Sequence, residues 1–414
     1  MVIDSLKYNG LCSCGREHKM ETVFSVIEKG CLKDISRYMS EYNLRGYTVA
    51  VYDDNTYMAT EDRHPKSDYE IVLPSKNLHA NEHGVELLLK QLPQNIEVLI
   101  AVGSGTVHDI VRYCAYQKGI DFVSCPTAAS VDGFCSSVAA MTWKGCKKTL
   151  TAVAPKIVIA DIDVIKNAPI RLAKSGFGDM VGKYVALTDW KISNIVKNEF
   201  YCERIAKMTL EATEMVVESA SGILKGEESS FENLMYGLLL SGLAMQMMGN
   251  SRPASGAEHH ISHIIEMEPV GLNVHSDALH GEKVGVGTLL AIAEYQRLCG
   301  CTNIHFKNYE EYNADFLSAI FGEDISKEIL SENENDVATG IGAELLKDNW
   351  EKIAVEVNKL PNIKWLKSLY LDLDVKSKLS DIGVDENMAE ILLDCSPSVR
   401  NRLTLMRLRK TVIG

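Results

Sequence analysis

Apolar and polar positions along this chain follow two different rhythms. Up to residue 165, short apolar and β-branched runs recur between polar turns. Residues 46–52, 70–74, 97–102, 122–126 and 156–160 each predict a buried strand. Helical spacing between them predicts helices over 25–42, 85–91 and 110–118. After Pro169 the spacing is helical to the C-terminus, with breaks near Lys225-Gly226-Glu227, Gly249-Asn250, Gly300 and Pro361. The pattern predicts an α/β domain over 1–165 and an all-helical domain over 166–414, without internal repeats.

Several stretches within this pattern carry candidate chemistry. The strand ending at Val102 runs into Gly103-Ser104-Gly105-Thr106-Val107-His108-Asp109, followed by a helix. Glycines there let a backbone approach a phosphate, and a helix N-terminus offers N–H groups and a positive dipole end. An ordinary tight turn between strand and helix is the alternative. Asp53 closes an earlier strand, at the kind of edge where α/β folds bind nucleotides. The loop from Thr127 through Ser130 and Asp132 to Ser136 is dense in hydroxyls with one carboxylate, suited to ribose, amide or polyol groups.

The helical half opens on Gly176-Phe177-Gly178-Asp179, where Asp179 is either a helix cap or a metal ligand. Further on, Ser251 to His263 places His259, His260 and His263 within five residues, and His280-Gly281-Glu282-Lys283 follows. A helix over 255–265 sets His259 and His263 four apart on one face, and a further helix is expected over 284–295. Two imidazoles and a carboxylate from different helices suit zinc, nickel or iron and leave room for a substrate oxygen. Spacing alone does not choose between His259 and His260. Polar residues on a helix surface are the alternative to a metal site.

Composition narrows the partners. A net charge of −13 without any Lys/Arg-rich tract argues against a general nucleic-acid surface, but leaves small anionic substrates open. The 46% apolar content supports two cores. Met1 to Asn9 has no apolar core of a signal peptide. The most apolar helical run, 234–248, is shorter than the roughly 18 residues of a membrane span and predicts a buried helix. Eleven irregularly spaced cysteines fit reduced thiols and a cytoplasmic location. Cys12-Ser13-Cys14-Gly15-Arg16-Glu17-His18 looks like half a zinc site. It departs from the usual Cys-x2-Cys spacing, only Cys31 is near as a further ligand, and an N-terminal turn is the alternative.

The glycine loop, Pro126 to Ser130, Gly176 to Asp179, Ser251 to His259 and His280 to Gly287 follow one another as in the sn-glycerol-1-phosphate dehydrogenases. The sequence is identified as similar to this family, in its bacterial branch, over roughly residues 10 to 410. The family it resembles belongs to the wider superfamily of metal-dependent alcohol dehydrogenases, glycerol dehydrogenases and dehydroquinate synthases. The resemblance implies a Rossmann-like N-terminal domain, a helical C-terminal domain and an active site in the cleft between them. It implies Asp179, His259 and His280 as ligands of one divalent metal per chain, with His263 and Asp132 facing the substrate. Asp179, His263 and Asp132 are then the candidate catalytic residues. It places Gly103, Ser104, Gly105 and Thr106 under the cofactor pyrophosphate, Asp109, Thr127, Ser130 and Ser136 along the cofactor, and Asp53 near the adenosine ribose.

The implied reaction is reversible, NAD- or NADP-linked reduction of dihydroxyacetone phosphate to sn-glycerol 1-phosphate, in a homo-oligomer. Asp53 favours NADH, since it would repel a 2′-phosphate. His263, or a water-mediated route through the ribose, supplies the proton. Arg252 and Lys283, each beside a ligand segment, are the candidate phosphate cations, with a structural role as the alternative. Action on unphosphorylated glycerol, a dehydroquinate synthase-like lyase and a non-enzymatic scaffold are the competing functions.

Overall fold

The computed structural model describes residues 1–143 and 146–414. These pack into two compact units that interleave in sequence: Met1–Met180 with Glu211–Asn250, and Val181–Leu210 with Ser251–Gly414. The change from strands to helices near residue 165 is present, but helices either side of it pack with the sheet.

The first unit is built on a seven-stranded sheet. Its strands are β1 (Val2–Asp4), β2 (Phe24–Glu28), β3 (Thr48–Asp53), β4 (Tyr69–Leu73), β5 (Val98–Gly103), β6 (Asp121–Pro126) and β7 (Ile157–Asp161). Their spatial order is β1-β2-β7-β6-β5-β3-β4. Only β1 runs antiparallel to its neighbour. The near-continuous apolar runs of β5 and β7 follow from burial on both faces, as a parallel sheet requires. From β3 the chain goes outward to β4, then returns to β5 on the other side of β3. This reversal is a topological switch point, the place where open α/β sheets bind ligands beyond their strand ends. Asp53 and Gly103 are the last residues of the two strands that flank it.

Residues 25–42 are not one helix. Phe24–Glu28 is β2, hydrogen-bonded between β1 and β7, and only Ile35–Glu41 is α-helical. Val26 and Ile27 are β-branched and fully buried, so sheet packing outweighs the apparent helical spacing. Gly30, with φ of 69°, ends the segment. A two-stranded hairpin, Val138–Trp143 with Cys146–Thr151, was not expected.

Helix α1 (Gly105–Lys118) follows β5, and α2 (Ile170–Val181) begins the helical region. Then come α3 (Lys183–Lys197), α4 (Glu203–Ser219) and α5 (Glu228–Met248). As expected from its apolar run, α5 is buried along most of its length and packs within the first unit. The second unit contains α6 (Ala257–Met267) and α7 (His280–Gly300). The latter starts four residues earlier than expected, so His280 is its first residue. No helix among the described residues is long and apolar enough to cross a membrane.

Candidate active site

In the first unit, the turn from β5 into α1 is shaped by close approach. A Cβ on Gly103 would lie 2.7 Å from the Val107 Cβ, and one on Gly105 would lie 3.2 Å from a Val131 methyl. Ser104 is the N-cap of α1 and makes no side-chain cap bond to the helix. The first-turn N–H groups, including those of Gly105 and Thr106, lack intrahelical partners by the geometry of any helix start. His108 ties this turn to the sheet: Nδ1 pairs with the Ser104 carbonyl at 3.0 Å and Nε2 with the Ser124 hydroxyl at 2.8 Å. Burial, with Arg112 nearby, lowers its pKa to about 3, so the ring is neutral and structural.

Thr127 continues the same edge, its N–H donating to the Gly103 carbonyl at 3.0 Å. Arg112 is buried on α1, paired with Asp109 at 3.4 Å, and donates to the carbonyls of Val138, Gly133 and Phe134. It thereby fixes the loop that holds Asp132, and Asp109 is engaged with it. Ser136 folds back onto the Val138 carbonyl at 2.9 Å. Asp53 is half-buried and forms a capping box, accepting from the Thr56 N–H at 2.8 Å.

Asp132 and Asp179 meet within this unit. The Asp132 N–H donates to Asp179 Oδ2 at 3.0 Å, and the Ser241 hydroxyl of α5 donates to Asp132 Oδ2 at 2.8 Å. Two glycines make the arrangement possible. A Cβ on Gly176 would fall 2.1 Å from the Ala129 carbonyl oxygen, and one on Gly242 would fall 2.8 Å from that of Asp132. Asp179 lies at the tenth position of α2 and is completely buried, so it is not an N-terminal cap.

In the second unit, α6 and α7 bring three histidines together. The ring centroids of His259 and His280 are 5.4 Å apart, and those of His259 and His263 are 6.1 Å apart. His259 Nδ1 is 2.7 Å from Glu258 Oε1, and His280 Nδ1 is 2.8 Å from Glu266 Oε1. A carboxylate accepts, so each Nδ1 carries the proton and each Nε2 presents its lone pair. Carboxylate–imidazole pairs of this kind orient metal-ligating histidines and raise their basicity. His260 is fully buried, and burial holds its pKa well below the usual histidine range; neither ring nitrogen has a hydrogen-bond partner. His263 is half-buried, and burial together with Arg400 keeps it neutral as well.

The segment leading into α6 is pinned by cations. Lys183 Nζ donates to the Ala254 carbonyl at 3.1 Å, and Arg402 to the Ser255 carbonyl at 2.7 Å. Arg252 grips Glu199 at 2.9 and 2.6 Å with two nitrogens and donates to the Leu403 carbonyl at 2.7 Å. Arg252, expected to hold substrate phosphate, has Nε and Nη2 on this carboxylate and is 1% exposed. Lys283 is buried in the first turn of α7. Deeper still, Asp189 accepts from Ala257 N, Leu405 N and the Tyr295 hydroxyl at 2.9, 2.8 and 2.8 Å. Glu258, Glu266, Ser241 and Asp189 were missed from sequence. Glu258 and Glu266 had a signal, each being an acid one and three residues from a histidine on the same helix.

A family model described as iron-containing alcohol dehydrogenase matches residues 26–169. The chain is 36% identical over 304 residues to the glycerol-1-phosphate dehydrogenase (NAD(P)+) of Bacillus licheniformis, covering 71% of this chain and 75% of that one. It is 30% identical over 409 residues to the enzyme of the same name from Halalkalibacterium halodurans, covering 95% and 94%. Among solved structures, a probable glycerol dehydrogenase from Sinorhizobium meliloti superposes with a TM-score of 0.63 over 94% of each chain at 17% identity, a likeness of fold. The full-length match, with the glycine turn, the buried Asp179 and the carboxylate-backed histidines inside it, places the chain in the glycerol-1-phosphate dehydrogenase (NAD(P)+) family.

Proposed function

We propose that the protein reduces dihydroxyacetone phosphate to sn-glycerol 1-phosphate with NADH or NADPH, reversibly and with one divalent ion per chain. The family supports the reaction. The observation that carries the metal requirement is the pair of imidazoles whose Nδ1–H groups are tied to Glu258 and Glu266. Asp179, His259 and His280 are the proposed ligands, a donor set that suits zinc, nickel or iron. The ion supplies Lewis acidity toward the substrate oxygen when bound. The nicotinamide supplies the hydride.

The chain's own residues do the rest. Gly103 to Thr106 receive the cofactor pyrophosphate: a Cβ at Gly103 would collide with Val107, so glycine lets the strand turn tightly into α1, whose N-terminus favours negative charge. Thr127, Ser130 and Ser136 line the cofactor, and Asp53 meets the adenosine ribose. Asp132, held by Ser241, orients the substrate hydroxyl groups. His263, neutral and beside the ligand histidines on α6, relays a proton to the product oxygen, taking one up from solvent at its other ring nitrogen as it gives one. With Arg252 committed to Glu199, Lys283 and Arg400 are the remaining candidates for the phosphate. Arg400 is the cation whose charge acts most strongly on His263. The enzyme works as a homo-oligomer in the cytoplasm.

The test is NADH consumption by metal-stripped and re-metallated protein, with dihydroxyacetone phosphate and with dihydroxyacetone. Turnover with the phosphorylated ketone after metal return supports the proposal. Equal use of both ketones points to a glycerol dehydrogenase instead.

A further inference from the structure

The N-terminal segment singled out for its cysteines belongs to none of the machinery above. Gly10–Leu11 and Glu17–His18 form a short antiparallel hairpin in the first unit. Its turn is closed by Cys12 N–H to the Arg16 carbonyl and Gly15 N–H to the Cys12 carbonyl, both at 2.9 Å. Gly15 has a φ of +84°, which only glycine adopts without strain. This tight turn brings Cys14 back to His18: Sγ and Nε2 are 3.4 Å apart. His18 is 2% exposed, and its Nδ1 is 2.8 Å from the Met247 carbonyl at the end of α5. A carbonyl only accepts, so Nδ1 carries the proton, and Nε2 turns its lone pair toward the thiol. Cys12 is buried at the root of the same turn.

We propose that Cys12, Cys14 and His18 bind a zinc ion. Zinc bound at about 2.3 Å to sulfur and about 2.0–2.1 Å to nitrogen in a tetrahedron holds those two atoms roughly 3.5 Å apart. The observed separation matches that edge. The Met247 carbonyl plays the part that outer hydrogen bonds play for zinc-bound histidines, fixing ring and tautomer. Two thiolates and one imidazole are donors that zinc takes readily. Binding converts the thiols to thiolates and releases their protons to solvent; no electrons are transferred. Cys31, the neighbour expected from sequence spacing, is excluded. It lies in the sheet core, where burial and Asp161 push its thiol up to about 12, so it stays protonated.

The full chain loaded with Co(II) provides the test, because thiolate ligands give cobalt a near-ultraviolet charge-transfer band that carboxylate and imidazole ligands do not. The band is expected in the unmutated protein and in His280→Ala, so it reports independently of the proposed catalytic ion. Cys12→Ser and Cys14→Ser should each weaken or abolish it. Zinc content measured on the same proteins should fall by one equivalent in Cys14→Ser, and the Tm should fall with it. Absence of the band in the unmutated protein, or an undiminished band in Cys14→Ser, overturns the proposal. If a cysteine variant fails to fold, the presence or absence of the band in unmutated protein and in His280→Ala still supports or overturns the site.

Discussion

The two functional regions are built by opposite means. In the first unit, the groups proposed to receive ligands are backbone groups and short side chains, set where glycines let segments approach closely. Gly103, Gly176 and Gly242 each stand where a Cβ would collide with backbone or side chain within 2.8 Å. In the histidine cluster of the second unit, the functional atoms are at the ends of side chains, and charged partners hold them in place. Glu258 and Glu266 fix two rings, while Arg252, Arg402 and Lys183 pin the preceding turn. The first region is therefore damaged by adding atoms, and the second by taking them away.

The sharpest contrast comes from the second region. His280→Ala should remove the metal and lower kcat/KM about a thousandfold or more, the scale of several kcal/mol of charge stabilisation. The far-UV CD spectrum should remain that of the folded protein. Full activity in metal-free His280→Ala would break the account. One step further out, Glu266→Gln keeps the shape of the side chain but weakens the partner of His280. Metal affinity, read by competition with a chelator, should fall about 10–100-fold. An unchanged affinity would make Glu266 a bystander.

Arg252→Ala separates holding a turn from holding a substrate. Loss of its charge-assisted bonds should cost about 1.5–3 kcal/mol of stability in a denaturant titration. Activity on dihydroxyacetone phosphate and on dihydroxyacetone should fall by the same factor. A selective loss with the phosphorylated ketone would restore Arg252 as a phosphate ligand.

Substitutions in the first region should act on the cofactor. In Gly103→Ala the added methyl meets Val107, an overpacking cost of about 1–3 kcal/mol, expected as a raised KM for NADH with a smaller change in kcat. Asp53→Ser removes the charge but keeps a residue that caps the following helix well. The unmutated protein should prefer NADH, and the variant should gain efficiency with NADPH by on the order of tenfold. Equal efficiency with both cofactors before mutation would contradict the role given to Asp53.

Local rhythm accounts for much of what could be read from the chain. Strands β3 to β7 and the glycine turn announce themselves because apolar runs end at or beside glycine, aspartate or proline. The missed strand β2 has apolar residues that also fit a helix, and only its neighbours β1 and β7 settle its conformation. The histidine motif was visible, yet its meaning depends on side chains distant in sequence. Arg252 meets Glu199 53 residues away and the Leu403 carbonyl 151 residues away, a pairing no spacing rule reveals. The Ser-Arg-Pro-Ala-Ser run is thus better understood as an anchor for α6 than as a substrate clamp.

The central claim, that this chain reduces dihydroxyacetone phosphate through the ion held by its aspartate and two histidines, rests most directly on one assay. NADH oxidation is followed in metal-stripped protein, after return of zinc, nickel or iron, and in His280→Ala treated identically. The account predicts no consumption without metal, recovery in the unmutated protein on re-metallation, and none in the variant. Steady NADH consumption by the metal-stripped protein, or by His280→Ala, would contradict it.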